Sequence, residues 1–235
     1  MGKIINFERA FGISSDRDNL TEMPKEERVI EISRLIEIIN DQYIPYDIST
    51  EEATDLVNNA VANLKSENNT GESAIYSPHT LVEPSLSQRI LYPYLAGQRL
   101  GNQATVIHSK GTIDEPCTIA HEFAHVEGHS SEIEAQVISY LALKGSGEPL
   151  LELCAHYDRL DQQTAVVKSN LKKLGLRKEA QKAMKSKVID DWTLLPFLFT
   201  YPILTLKNFK PRGVKRSDYN QGPTNLLYTA GIQID

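Results

Sequence analysis

The sequence predicts a mainly helical α+β fold. Most of the chain carries apolar residues at helical spacing, whereas residues 74–109 are rich in proline, tyrosine and β-branched side chains. The 235 residues are 40% hydrophobic and 24% charged, which is an ordinary globular composition. This composition excludes a disordered chain, a collagen and a coiled coil, and the chain is long enough to bury a substantial core.

Two amphipathic helices are predicted in residues 1–66, which we assign to an N-terminal helical region. Pro24 can open the first helix, and Ser49 forms a capping box with Glu52 before the second. The apolar positions at helical spacing are Val29, Ile30, Ile32, Leu35, Ile36, Ile38 and Ile39, then Ala53, Leu56, Val57, Ala60, Val61 and Leu64.

Residues 67–235 are assigned to a second region, which we expect to form one compact domain with the first. A polar loop over 67–73 precedes the stretch 74–109, where prolines favour irregular structure and Thr105, Val106 and Ile107 favour a short strand. The later helical patterns cover residues 117–126, 131–144, 149–160 and 165–174.

The charge of the chain is unevenly distributed. The formal net charge is −6, which argues against a nucleic-acid partner. Residues 165–216 hold thirteen Lys or Arg side chains against three acidic ones, a net charge of +10, so the rest of the chain carries −16. This basic part predicts a solvated helical face, and association with an anionic membrane surface is the alternative.

No targeting segment is evident, and the chain reads as soluble. Its longest apolar run, residues 192–206, is interrupted by Pro196 and Pro202 and is shorter than the roughly 20 residues of a membrane span. We expect a cytoplasmic protein if the chain is complete, and the extramembrane part of an anchored protein if it is a fragment. The two cysteines provide no disulfide framework, and no pattern indicates an oligomeric state.

The strongest chemical signal is the sequence His-Glu-Phe-Ala-His at residues 121–125. On a helix, His121 and His125 share one face and can bind a single metal ion, for which Zn²⁺ is the first choice. Glu122 lies beside such an ion and can deprotonate a water molecule that the ion binds.

A catalytic zinc site needs a third protein ligand in addition to the two histidines. Gly128 allows the chain to reverse, and the next helix then carries Glu132 and Glu134 in its first turn. Either carboxylate could be the third ligand, and His129, on the turn itself, is a weaker candidate. The metzincin class is excluded because the position of its third histidine is Ser131.

The residues 115–143 resemble a bacterial family of membrane-anchored zinc metallopeptidases that are inferred from sequence. The resemblance rests on the His-Glu-Phe-Ala-His motif, on Gly128, and on the sequence Glu-Ile-Glu-Ala-Gln at residues 132–136, which is similar to the family's Glu-x-Glu-Ala-Asn signature. It implies a zincin-like domain with a small sheet beside the active-site helix. The chain departs from the family at Cys117, His129 and Gln136, and it lacks the family's N-terminal membrane helices.

The resemblance also implies roles for individual residues. In the wider gluzincin group, a small residue lies three positions after the ligand glutamate and a polar one lies four positions after it. Ala135 and Gln136 fit this pattern for Glu132, which leaves Glu134 as a capping partner of Ser131. Gln136 could then brace a ligand histidine. Tyr219 is implied as the donor that stabilises the oxyanion, with His129 and His108 as alternatives.

The sequence therefore predicts a gluzincin-like zinc metallopeptidase that acts on peptides or proteins. His121, His125 and Glu132 would hold the zinc, and Glu122 would act as general base. The segment 104–109 could be an edge strand that pairs with the substrate backbone. The alternative is a zinc-binding regulatory or interaction module with little or no catalytic activity.

Overall fold

The structure, a computed structural model, describes residues 3–68, 76–85, 97–101, 103–107, 109–167, 175–185 and 216–232. Within these residues the chain is mostly helical and carries one small antiparallel sheet, which confirms the α+β class. The strands are β1 (Gly97–Leu100) and β2 (Gln103–Val106). The helices are α1 (Phe7–Phe11), α2 (Lys25–Asp41), α3 (Thr50–Asn68), α4 (Glu115–Val126), α5 (Glu132–Lys144), α6 (Pro149–Val167), α7 (Lys178–Lys185) and α8 (Arg216–Thr229).

Helices α3 and α5 begin where a serine side chain satisfies a free backbone amide of the first turn. Ser49 accepts a hydrogen bond from the amide of Glu52 at 3.1 Å before α3, and Ser131 accepts one from the amide of Glu134 at 3.4 Å in α5. Helix α6 is longer than predicted, because it continues without a break to Val167. The separate helix predicted over 165–174 is therefore wrong at its start, and residues 168–174 lie outside the described part of the chain.

The sheet is an antiparallel hairpin of β1 and β2. Gly97 pairs with Val106 at one end, and Leu100 pairs with Gln103 at the other. On its other side, β2 receives a hydrogen bond from the amide of Val82 to the carbonyl of Ala104 at 2.8 Å. Within the described residues the sheet has two strands, so β2 is an edge strand as expected, although Leu81 pairs with its residue Ala104. The pairing of the segment 104–109 with a substrate backbone stays a prediction.

Helix α4 lies at the centre of the fold. It packs against α3, α5, α6 and both strands, and most of its side chains are buried. One hydrophobic core contains residues from this helix and from the N-terminal region, including Ile4, Phe7 and Val57. The two regions assigned from the sequence thus share a core, and the helix that carries the His-Glu-x-x-His motif is fixed from all sides.

Among the described helices, none combines the length and the apolar character that a membrane span requires. The apolar run 192–206 and most of the basic stretch 165–216 lie outside the described residues. The solvated helical face and its alternative, association with a membrane surface, therefore both stay untested predictions.

Candidate metal centre

Helix α4 places the two motif histidines on one face, one turn apart. The Nε2 atoms of His121 and His125 are 3.1 Å from each other, and the two rings meet edge to face with an interplanar angle of 88°. Two imidazole nitrogens that converge in this way can supply two of the four ligands of a tetrahedral metal ion.

Glu132, the first residue of α5, completes a group of three potential ligands. Its Oε2 atom lies 3.1 Å from Nε2 of His121 and 3.5 Å from Nε2 of His125. Ligand atoms bound to a tetrahedral zinc at 2.0–2.1 Å are about 3.3 Å apart, so these spacings fit one ion. Within the described residues, this is the only group of His, Cys and acidic side chains that converges on a potential metal position.

The turn between α4 and α5 brings Glu132 back to the histidines. Gly128 adopts a φ of +99°, which favours glycine, and the amide of His129 donates to the carbonyl of Ala124 at 3.1 Å. Ser131 then caps α5, so that Glu132 enters the first turn facing the motif helix. The compact turn thus determines which acidic residue reaches the histidine pair.

The orientation of His125 is fixed by a backbone carbonyl. Its Nδ1–H donates to the carbonyl oxygen of His129 at 2.5 Å. In the neutral ring, the lone pair then resides on Nε2, which faces His121 and Glu132 and is the nitrogen that a metal would bind. His121 lacks such support among the described residues, where its buried Nδ1 has no hydrogen-bond partner.

The three candidate ligands also shift one another's pKa values. Burial alone would raise the pKa of Glu132, but hydrogen bonds with His121 and His125 outweigh burial and hold this pKa far below its usual value. Burial would lower the pKa of His125, but the hydrogen bonds with Glu132 and with the His129 carbonyl raise it. The cluster therefore holds a carboxylate anion, which can compensate the charge of a bound cation.

Glu122 points toward the sheet and packs against β1. Its side chain is only 6% exposed, and a methyl group added to Gly97 would come within 2.9 Å of its Cγ atom and 2.7 Å of Cγ2 of Thr118. Glycine at position 97 thus allows the strand to approach the carboxylate closely. Burial raises the pKa of Glu122, although the nearby His121 and His125 oppose this shift.

The structure separates the remaining sequence candidates from this group. Glu134 faces away from the two motif histidines and pairs with His129, whose ring is fully buried. Gln136 donates to Asp158 at 2.6 Å and, among the described residues, forms no hydrogen bond with His121 or His125. Tyr219 belongs to α8, but its side chain lies outside the described part of the chain, as does His108.

Two features near the site were not anticipated from the sequence. One is Gly97, whose lack of a side chain lets β1 contact Glu122. The other is a hydrogen-bonded group around His129 that includes Ile4 and Ser15 from the N-terminal segment. Neither leaves a local sequence signal, because the partners are far apart along the chain.

The fold and the site together define a mostly helical α+β protein that carries a His-Glu-x-x-His helix and a nearby glutamate. A family model matches residues 7–194, so the chain belongs to the DUF3810 family, described as a protein of unknown function. The matched residues include the motif histidines and Glu132, whereas Tyr219 lies beyond them. No curated protein and no solved structure matches the chain.

Proposed function

We propose that the protein is a zinc-dependent, gluzincin-like metallopeptidase with His121, His125 and Glu132 as its zinc ligands. The observation that carries the proposal is the spacing of the three ligand atoms, 3.1, 3.1 and 3.5 Å, which suits a single tetrahedral ion. Two imidazoles and one carboxylate are a ligand set of catalytic zinc sites, in which a water molecule takes the fourth position.

The residues around this group support a hydrolytic role. When bound, zinc would supply Lewis-acid chemistry, lowering the pKa of a water molecule to about 7 and polarising a carbonyl group. Glu122 is next to His121 in the motif, is buried and has no hydrogen-bond donor among the described residues. Its carboxylate would take a proton from the attacking water and then deliver it to the leaving amine of the peptide.

The substrate backbone and the oxyanion need further groups. Strand β1 lies against Glu122 through Gly97, so a peptide substrate aligned along this strand would reach the general base. We keep Tyr219 as the oxyanion donor on the basis of the family resemblance. Tyr219→Phe should therefore lower kcat and leave zinc affinity unchanged.

The decisive experiment compares the wild type with Glu122→Gln. Both proteins should contain one zinc by metal analysis, but only the wild type should cleave an unbiased peptide library, and chelation should abolish that cleavage. Loss of the general base lowers the rate by about 10²–10⁴-fold. Glu148→Gln, at an exposed position before α6, is the matched control and should retain full activity.

Two results would contradict different parts of the proposal. Equal cleavage by the wild type and Glu122→Gln would remove Glu122 from the mechanism. A wild-type chain that binds zinc but cleaves no peptide would overturn the peptidase and leave the zinc-binding interaction module as the function.

A further inference from the structure

We infer that His129 is a positioning residue for the metal ligand His125, and that the N-terminal segment 3–15 holds His129 in place. The inference rests on the proposed zinc site and adds residues that lie outside it. We call the group formed by His129, Glu134, Ile4 and Ser15 the His129 clamp.

Both ring nitrogens of His129 are engaged in the clamp. The backbone amide of Ile4 donates to Nε2 at 3.0 Å, so this nitrogen carries the lone pair. Nδ1 therefore carries the proton and donates to Oε2 of Glu134 at 2.9 Å. The ring is fully buried, so no solvent competes for these two hydrogen bonds, and they fix its position and tautomer.

The backbone of His129 transmits this position to the metal site. Its carbonyl oxygen accepts the 2.5 Å hydrogen bond from Nδ1–H of His125. A shift of the His129 backbone would therefore rotate the His125 ring or leave its Nδ1–H unpaired, and either change moves Nε2 away from the ligand position.

The N-terminal segment completes the clamp across a long sequence separation. Ser15 donates to Oε1 of Glu134 at 2.5 Å, and Lys3 lies 3.2 Å from Oε2 of the same carboxylate. The buried side chains of Ile4, Ile5 and Phe7 anchor the segment in the hydrophobic core. The docking of this segment and the orientation of the candidate ligand His125 therefore depend on the same group of hydrogen bonds.

The chemistry of the clamp favours positioning over simple core packing. A buried carboxylate and imidazole carry a desolvation cost that an apolar pair of similar size would avoid. The pair holds His129, and the backbone carbonyl of this residue binds the candidate ligand His125. Partners of ligand histidines of this kind typically change metal affinity 10–100-fold when they are removed.

The test measures zinc affinity by competition with a chromophoric chelator and records the visible spectrum of the Co²⁺-substituted protein. His129→Phe keeps a buried aromatic ring but removes both side-chain hydrogen bonds, and it should weaken zinc binding about 10–100-fold. It should also alter the Co²⁺ spectrum, because the geometry at His125 changes. Ser15→Ala, which removes only the bond to Glu134, should give a smaller loss in the same direction.

Ser139→Ala is the matched control for general destabilisation. Ser139 is buried in α5 and donates to the carbonyl of Cys117 in α4 at 2.9 Å, so it joins the same two helices without contacting the clamp. This variant should lower the melting temperature and leave zinc affinity and the Co²⁺ spectrum unchanged.

The outcomes separate this inference from the proposed function. If His129→Phe binds zinc with the affinity of the wild type and has the same Co²⁺ spectrum, the positioning role of the clamp is wrong and the zinc site is unaffected. Equal losses of affinity in Ser139→Ala would also overturn it, since the effect would then be general. If His129→Phe does not fold, zinc affinity and the Co²⁺ spectrum of Ser15→Ala test the inference instead, and values equal to those of the wild type would contradict it. A wild-type chain that binds no metal would overturn the proposed site itself.

Discussion

At the scale of single residues, Asp158 shows how strongly the fold changes one protonation state. Burial raises its pKa to about 7, and the nearby Asp114 and Asp161 act in the same direction. Two side-chain amides, those of Gln136 and Gln162, donate to its Oδ2 atom at 2.6 and 2.7 Å. The hydrogen bond from Gln136 and the nearby His121 favour the charged form, but burial outweighs them and the neutral form is favoured.

This raised pKa predicts a pH-dependent stability. Between about pH 4 and pH 7, Asp158 is ionised in the unfolded chain but still protonated in the folded protein, so folding binds a proton and the free energy of unfolding falls as the pH rises. The loss is on the order of 2–4 kcal/mol and is complete above pH 7. Asp158→Asn keeps an acceptor for both amides and should be more stable than the wild type at pH 8.

The measurement is urea unfolding of the chelator-treated wild type and Asp158→Asn from pH 4.5 to pH 8. The difference between the two unfolding free energies isolates the one carboxyl group from all other titrations. Two parallel curves across this pH range would show that the pKa of Asp158 is not raised in the folded protein.

The candidate site could be predicted from the sequence only where its residues are close along the chain. His121, Glu122 and His125 follow from helical geometry alone, because residues four apart share a face. The choice of Glu132 over Glu134 as third ligand required the family signature, because helical spacing alone fits both residues. The contact of His129 with Ile4 spans 125 positions, and no local pattern encodes a hydrogen bond between such distant groups.

At the scale of secondary-structure elements, a buried ion pair joins α3 to the turn that follows α4. The Nζ atom of Lys65 lies 2.6 Å from Oε2 of Glu127, and both side chains are 2% exposed. Nε2 of His79 lies 2.9 Å from the other carboxylate oxygen. Burial would raise the pKa of Glu127, but hydrogen bonds with His79 and Lys65 outweigh burial and lower it.

Removing one partner of this ion pair should destabilise the folded protein. Lys65→Met leaves the buried carboxylate of Glu127 without its cation and should lower the free energy of unfolding by about 3–5 kcal/mol. The double variant Lys65→Met/Glu127→Gln removes the remaining charge, keeps an acceptor for His79, and should recover part of the loss.

Lys110→Met is the matched control for this prediction. Lys110 forms a similarly short pair with Glu83, 2.7 Å, but both side chains are largely exposed, so its loss should change stability by less than about 1 kcal/mol. Urea unfolding provides all three values. Equal costs for the two single substitutions would show that burial does not strengthen the pair.

Prediction of the elements succeeded where a local signal existed. The capping serines before α3 and in front of α5 mark helix starts, because a side-chain oxygen replaces a missing backbone partner. The neighbours of β2 could not be predicted in the same way. The pairing of Ala104 with the segment at Leu81 joins residues more than twenty positions apart, and the strand sequence looks the same with or without that partner.

At the scale of the whole molecule, buried polar contacts join α2 and α8, near the two ends of the described chain, to α6. Arg159 in α6 binds both oxygens of Glu31 in α2, at 2.6 and 3.1 Å, and donates to Thr224 in α8 at 2.8 Å. Breaking such a buried ion pair strongly lowers the free energy of unfolding, so these three helices are expected to unfold together. The candidate metal site lies on helices that pack in the same core, so it should share that transition.

Zinc should therefore stabilise the entire protein and not the site alone. A ligand that binds only the folded state adds about 2.7 kcal/mol at a concentration of 100 Kd, which raises the melting temperature of a protein of this size by about 5–10 °C. Calorimetry should show a single transition that zinc shifts as a unit. His125→Ala should abolish the shift, whereas His156→Ala, which removes a buried histidine of α6 outside the site, should retain it. A transition that splits on addition of zinc, or a shift that persists in His125→Ala, would contradict the coupling of the site to the fold.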